Sequence, residues 1–291
     1  MSRLRRRLAR LVGRGRSEVV DGAPQAFAPG NFYSPVVSTD VVLADPDRSR
    51  LWPDAPVDPP GIDFRAEVQA TQLAAVGAHA FPTDLDDGGP QYDPGNDQFP
   101  PHDAAILYGM VRHLQPKRLI EIGCGWSTTV TARAIRDGAL ATELTCIEPY
   151  PRDFLRDVTE IARLRQEKVE HTPWEVFAAL APGDVLFIDS SHVAKTGSDV
   201  VHLLLEVVPR LPVGVIVHVH DVFLPEDYPQ GWVRAGFGWN EQYLLQGLLA
   251  GGTTLRPLLM NRWTALRLPD AVHAALGPME LNGSSTWFER G

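Results

Sequence analysis

Near residue 101 the spacing of apolar positions along the chain changes character. Before it, residues 17–100 are rich in Pro, Gly and Asp, with short apolar stretches such as "NFYSPVVSTDVV". Within them, "GIDFRAEVQATQLAAVGAHA" repeats apolar residues at helical spacing. "PTDLDDGGPQYDPGNDQFP" packs turn formers too densely for regular structure. Beyond residue 101 short apolar runs alternate with longer amphipathic ones. "PHDAAILYGMVRHLQ" predicts a helix stopped by Pro116, "RLIEIG" a strand, "STTVTARAIRDG" a helix closed by Gly138, and "LTCIEP" a second strand. "PRDFLRDVTEIARLR" reads as a helix, "KVEHTP" as a short strand, "WEVFAALA" as a helix and "DVLFID" as a strand. "GSDVVHLLLEVVPRL" then predicts a helix, "GVIVHVHD" a strand, "NEQYLLQGLLAG" a helix, and "TLRPLLMN" and "RWTALRL" two final strands.

Strands alternating with helices imply a parallel sheet covered on both faces, so the expected fold class is α/β, a doubly wound sheet with an N-terminal cap region. No internal repeat is visible. The expected division is a basic arm over 1–16, a cap or extension over 17–100 and a ligand-binding domain over 101–291. In such sheets ligands sit beyond the carboxyl ends of the strands, which directs attention to the residues just after each strand.

Composition adds limits. The net charge of −9 is unevenly spread, because the first sixteen residues hold seven arginines and no acid. The remainder carries 20 basic against 36 acidic residues, which argues against a nucleic-acid-binding surface. In the arm, Leu4, Leu8, Leu11 and Val12 fall on one helical face among the arginines. That pattern suits peripheral contact with an anionic membrane or an acidic partner; a solvated tail is the alternative. No run reaches the roughly 18 to 20 apolar residues of a membrane span. Cys124 and Cys146 lie in apolar segments and predict no disulfide, which points to a reducing, cytoplasmic setting.

The first strand ends in "EIGCGWST", where Gly123 and Gly125 flank Cys124 in a strand-to-helix turn. Glycines there allow a ligand to approach the backbone closely, and Ser127 and Thr128 are placed to cap the next helix. Glu148 closes the second strand 23 residues after Gly125, where an acid accepts hydrogen bonds from ribose hydroxyls. A dinucleotide fingerprint needs a third small residue where Thr128 stands, and no G-K-[ST] follows. An acid opening the turn, Glu121, with a short glycine pair fits a cofactor without phosphates.

These motifs resemble class I S-adenosylmethionine-dependent methyltransferases, in particular small-molecule O-methyltransferases. "EIGCGWST" looks like their first motif, "CIEP" their second, and "GDVLFIDSSH" their fourth-strand motif, with "PGNDQFPPHDAAILYGMVRHLQPKRLIEIG" as the lead-in. The resemblance covers about residues 90–265. It implies a Rossmann-like, mostly parallel sheet with an antiparallel strand near the C-terminus, and S-adenosylmethionine as cofactor. By that pattern Glu121, Gly123, Gly125, Trp126 and Ser127 border the methionine part, Glu148 holds the ribose, residues near Trp174 face the adenine, and Asp189 borders the cofactor. Trp126 and Ser127 stand where the commonest pattern has a third glycine.

At the same edge, "DVLFIDSSH" turns polar at Asp189, Ser190, Ser191 and His192, and "VIVHVHD" ends in His220 and Asp221. Transfer to a hydroxyl of a small acceptor, such as a sugar or secondary metabolite, needs that hydroxyl aligned and its proton removed. His192 or His220 would act as the base. Alternatively, Asp189 and Asp221 would bind a divalent cation such as magnesium, with Asn240 as a further oxygen ligand. Val222 follows Asp221, so a tandem carboxylate pair is absent. His218, two residues deeper, is expected as a hydrogen-bonded core histidine, and His202 as a structural one. Lys195 and Asp199 fit a turn and first helical turn. Tyr228, Trp232 and Trp239 lie in a long loop suited either to substrate contact or to surface packing. Two other functions stay open: a nicotinamide-dependent oxidoreductase, disfavoured by the missing third glycine, and a non-catalytic relative that binds through its basic arm.

Overall fold

A computed structural model describes residues 27–28, 30–82, 89–252 and 254–291. The arm over 1–16 therefore lies outside the described residues. Seven strands form one sheet: β1 (Arg118–Ile122), β2 (Glu143–Ile147), β3 (Ile161–Arg165), β4 (Val185–Ile188), β5 (Ile216–Val219), β6 (Leu255–Met260) and β7 (Thr286–Arg290). Their order is β3-β2-β1-β4-β5-β7-β6. β7 runs antiparallel to β5 and β6, and the other pairs are parallel. This is the Rossmann-like methyltransferase sheet that the motifs imply.

The central strands are continuous apolar runs because both faces are covered. Alternate residues serve opposite layers. Ile120, Ile122, Leu186, Ile188, Val217 and Val219 pack with Val200, Leu204 and Leu245 on one side. Leu119, Val185, Phe187 and Trp287 pack with Ile106, Met110, Val130 and Ile135 on the other. The helix Pro101–Leu114, with proline in its first turn, packs against the helix Trp126–Gly138. The helix Ala66–Gly77 rests on Pro101–Leu114 and on β6. No helix among the described residues is long and apolar enough to cross a membrane.

Four expected elements differ. "PRDFLRDVTEIARLR" is not one helix: a single 3₁₀ segment, Asp153–Asp157, precedes β3. Its apolar residues keep helical spacing, but pairing with β2 makes the last five an edge strand. "KVEHTP" is a 3₁₀ turn, Val169–His171, and not a strand. "RWTALRL" belongs to the helix Asn261–Arg267, and the partner of β6 is the C-terminal β7. A seven-residue window separates periods of 2 and 3.6 poorly. Finally, Ala139 rather than Gly138 takes the left-handed conformation that ends its helix, at φ 46°.

Candidate active site

Three strand ends meet at one edge. β1 runs into the turn Gly123–Gly125. Gly123 has φ +77°, and a Cβ there would stand 1.9 Å from the Asp189 carbonyl oxygen. Its lack of a side chain lets the ends of β1 and β4 close, with the Asp189 amide donating to the Ile122 carbonyl at 2.9 Å. Around the Cβ position of Gly125 no atom lies within 4 Å, so this glycine faces open space.

Beneath the turn, Glu121 is fully buried and accepts hydrogen bonds from Ser127 Oγ at 2.6 Å and Thr128 Oγ1 at 3.1 Å. Ser127 turns inward to this carboxyl instead of capping the helix, whereas Thr128 does both, its Oγ1 also accepting from the Gly125 amide at 3.0 Å as the expected cap. Burial, only partly offset by those hydroxyls, pushes the Glu121 carboxyl up to about 8. The sign follows from proton linkage. A carboxyl raised in the folded state stabilises most below its unfolded value of 4.5, and that stability is lost as pH rises through about 8. The cofactor-free protein is expected to lose roughly 3 to 5 kcal/mol across that window from this group. Glu121→Gln should flatten the decline, as followed by urea midpoints at pH 5 to 9; an unchanged slope would refute the assignment.

Glu148 leans over the turn from β2. Its Oε2 accepts from the Cys124 amide at 3.2 Å and its Oε1 from the Tyr150 amide at 2.8 Å. Gly123, Glu148, Asp189, Ser190 and Ser191 line both of two adjoining hollows of about 410 and 340 Å³, which form one cleft of ligand size. The first hollow continues along Pro149, Lys168, Val169 and Glu170. The second continues along Gly125, Trp126 and Ser127 to Phe99, His192, His220, Asp221 and Trp239.

The polar rim converges as β4–β5 pairing requires, with Ile188 opposite Val219. His192 and Asp221 both hold left-handed backbones, at φ 61° and 59°. Strain of this kind, about 1 to 3 kcal/mol per residue, is kept where neighbours over-determine it. The His192 carbonyl accepts from the Asn240 amide at 2.9 Å and from the Glu241 amide. Its Nδ1 lies 2.8 Å from Glu241 Oε2, and its Nε2 3.3 Å from Asp189 Oδ1. His220 Nε2 lies 3.2 Å from Asp103 Oδ2. Its Nδ1 stands 3.6 Å from both Asp189 Oδ1 and Asp221 Oδ2. Ser284 Oγ donates to Asp221 Oδ1 at 3.0 Å. Burial would lower the His192 imidazole, but Asp189, Glu241 and Asp221 outweigh it and hold it at about 10. His220 is likewise raised by Asp221, Asp189 and Asp103 against the effect of burial.

Two acids of this cluster escape sequence reasoning. Asp103 and Glu241 each sit in the first turn of a helix, where an acid ordinarily needs no explanation beyond the helix dipole. Both are buried. Asp103 accepts from Asn261 Nδ2 at 2.6 Å and from the Ser284 and Ser285 amides. The signal available was position: each is the acid of an otherwise largely apolar helix start.

Other expectations are corrected. Trp174 lines neither hollow; the Arg210 guanidinium covers it, 3.7 Å from the ring centre, and the adjoining wall is Lys168, Val169 and Glu170. Asn240 is engaged with backbone: its Oδ1 accepts from the Ala194 amide at 2.5 Å. It thereby fastens the loop that carries His192. His218 is buried as expected, yet without a hydrogen-bond partner, stacked between Phe187 and Trp287 with ring centres 3.9 and 4.0 Å away. Asp199 accepts from the Ser191 amide and hydroxyl, His202 pairs with Glu206, and Lys195 lines the first hollow. Tyr228 and Trp232 are packing behind Trp239, which reaches the cleft and lies 4.2 Å from the His192 ring. Cys124 and Cys146 are both free and buried.

Residues 120–222 match a family model described as a methyltransferase domain. An uncharacterized protein of Archaeoglobus fulgidus is 31% identical over 152 residues, a match that spans 48% of this chain and 66% of that protein, just under two thirds. Among solved structures, the SAH-bound methyltransferase PaMTH1 of Podospora anserina aligns with a TM-score of 0.39 at 17% identity, over 65% of this chain and 77% of that one. CmcI with Mg-SAM aligns at 0.41 and 15%, over 85% and 97%. An O-methyltransferase family 2 protein of Planctomyces limnophilus, in complex with apigenin, aligns at 0.40 and 15%, over 65% and 58%.

Proposed function

We propose that this chain is a class I S-adenosylmethionine-dependent methyltransferase and moves the methyl group to a hydroxyl of a small molecule. The observation that carries the reading is the divided cleft: a glycine turn and Glu148 shared by two hollows, the second ending in a rim of imidazoles and carboxylates. In this reading the cofactor lies across Gly123, Gly125, Trp126 and Ser127, with Glu148 on the ribose hydroxyls and Asp189 beside it. Glu121 supports the turn from below. The acceptor occupies the second hollow, between Phe99 and Trp239.

The sulfonium is already a strong electrophile, so the protein has two tasks: to align the acceptor oxygen and to take its proton. His192 is the candidate base once a cation held by Asp189 and Asp221 offsets the carboxylates that otherwise keep its imidazole protonated. Glu241 fixes its Nδ1, which leaves Nε2 toward Asp189, Asp221 and the hollow. Asp189 and Asp221 are the residues that would hold a divalent cation. The donor chemistry fits one, since four carboxylates gather around two imidazoles. A bound cation would lower the pKa of an acceptor hydroxyl. Labelled-methyl transfer screened across hydroxylated acceptors tests the proposal. Turnover that is lost with chelator and restored by divalent metal is expected, together with loss in His192→Ala. Absence of transfer to every hydroxylated acceptor, alongside transfer to an amine or thiol, would sink it.

A further inference from the structure

We propose that His220 is a metal ligand rather than a base, and that with Asp189 and Asp221 it forms a mixed nitrogen–oxygen site that selects a transition-metal ion of the manganese, iron or zinc class over magnesium. The inference deepens the reading of the strand ends as the catalytic rim, and rests on it.

Three observations converge on the imidazole of His220. The first is its tautomer. Asp103 already accepts from Asn261 Nδ2 and the Ser284 and Ser285 amides, so it is a carboxylate held by donors, and His220 Nε2 donates to it as one more. A carboxylate that fixes one ring nitrogen of a histidine while the other faces an ion is the usual outer support of a metal-bound imidazole. The second is that Nδ1, in a side chain 1% exposed, has no hydrogen-bond partner. Its neighbours Asp189 Oδ1 and Asp221 Oδ2 both stand at 3.6 Å, too far for a hydrogen bond. Two donors that share one ion at about 2.1 Å, in tetrahedral geometry, stand about 3.4 Å apart. The spacing is therefore wrong for direct bonding and right for a common ion. These three atoms all lie within 4.8 Å of one another.

The third is charge. Four buried or half-buried carboxylates, Asp103, Asp189, Asp221 and Glu241, surround two imidazoles. Even with both rings protonated the cluster keeps a surplus of two negative charges. A divalent cation among Asp189, His220 and Asp221 displaces the His220 proton as it binds, so it lowers the surplus from two negative charges to one where burial makes it most costly. Imidazole suits manganese, iron and zinc, whereas magnesium takes oxygen ligands and keeps its waters. The single nitrogen at the centre of the triad is thus the element that sets preference.

The test uses the full chain stripped of metal by chelator, with manganese alone as the probe. Titration read by electron paramagnetic resonance should show one manganese bound at least tenfold more tightly than magnesium, the latter measured by competition. Pulsed measurements on the manganese-bound wild type should show coupling to an imidazole nitrogen. That coupling should persist in His192→Ala and vanish in His220→Ala, with manganese affinity at least tenfold weaker in the latter. Equal affinity for the two metals, no nitrogen coupling in the wild type, or unchanged binding in His220→Ala would each overturn the proposal. The wild-type spectrum needs no variant to fold. These readouts do not involve methyl transfer. Manganese bound through His220 in a protein that methylates nothing would leave the site standing and defeat the proposed function. Chelator-resistant methyl transfer without manganese binding would do the reverse.

Discussion

Gly123→Ala should cost about 3 to 5 kcal/mol of stability and eliminate cofactor binding. The added methyl would stand 1.9 Å from the Asp189 carbonyl oxygen, a backbone atom that cannot swing aside as a side-chain tip would. It would also be forced to φ +77°, which an L-residue other than glycine rarely adopts. Relief requires parting β1 from β4 where the Asp189 amide reaches the Ile122 carbonyl. Gly125→Ala is the informative companion. Nothing lies within 4 Å of its new methyl, so folding should be preserved within about 1 kcal/mol while the methyl intrudes on the cleft. Urea midpoints separate the two. If Gly123→Ala unfolds at the wild-type midpoint, the close approach of the two strand ends has been misread.

Asp103→Ala should destabilise by about 3 to 5 kcal/mol, because it strands donors rather than removing a single bond. Asn261 Nδ2, the Ser284 and Ser285 amides and His220 Nε2 would all lose their acceptor within a closed interior. Ser284 is also the residue whose hydroxyl supports Asp221, so the damage should spread to the rim. Asp103→Asn keeps the shape but brings an amide donor against those donors, and should recover only part of the loss. A denaturation midpoint for Asp103→Ala within about 0.5 kcal/mol of wild type would show that this carboxylate does not organise the cluster.

The two predictions fall on opposite sides of what the sequence reveals. β1, β2, β4 and β5 are legible because strands buried on both faces must be apolar throughout, and turn residues bound each run. Their ends are legible because polar residues gather at the last positions of each run, although Glu121 and His218 are buried within β1 and β5. Asp189, His192, His220 and Asp221 are therefore visible, and parallel pairing of β4 with β5 brings them together. β3 is not legible: Ile161 and Leu164 continue the helical spacing of Phe154 and Val158, and only the open edge of β2 makes a strand of them. β7 hides at the C-terminus behind two helices, the first of which reads as strand by local pattern alone. Asp103 and Glu241 are hidden by their ordinariness, as acids at helix starts whose burial is set by contacts up to 182 residues away. Position relative to the sheet, and not residue type, makes them part of the site.

The central claim is that the turn at Gly123 and the carboxylate of Glu148 hold an S-adenosyl cofactor. Calorimetric titration of the purified protein with S-adenosylhomocysteine tests it most directly. One molecule should bind per chain, and Glu148→Ala should weaken that binding by about 1.5 to 3 kcal/mol, the scale of lost hydrogen bonds to a charged group. No binding by the wild type, or equal affinity in Glu148→Ala, would contradict the account.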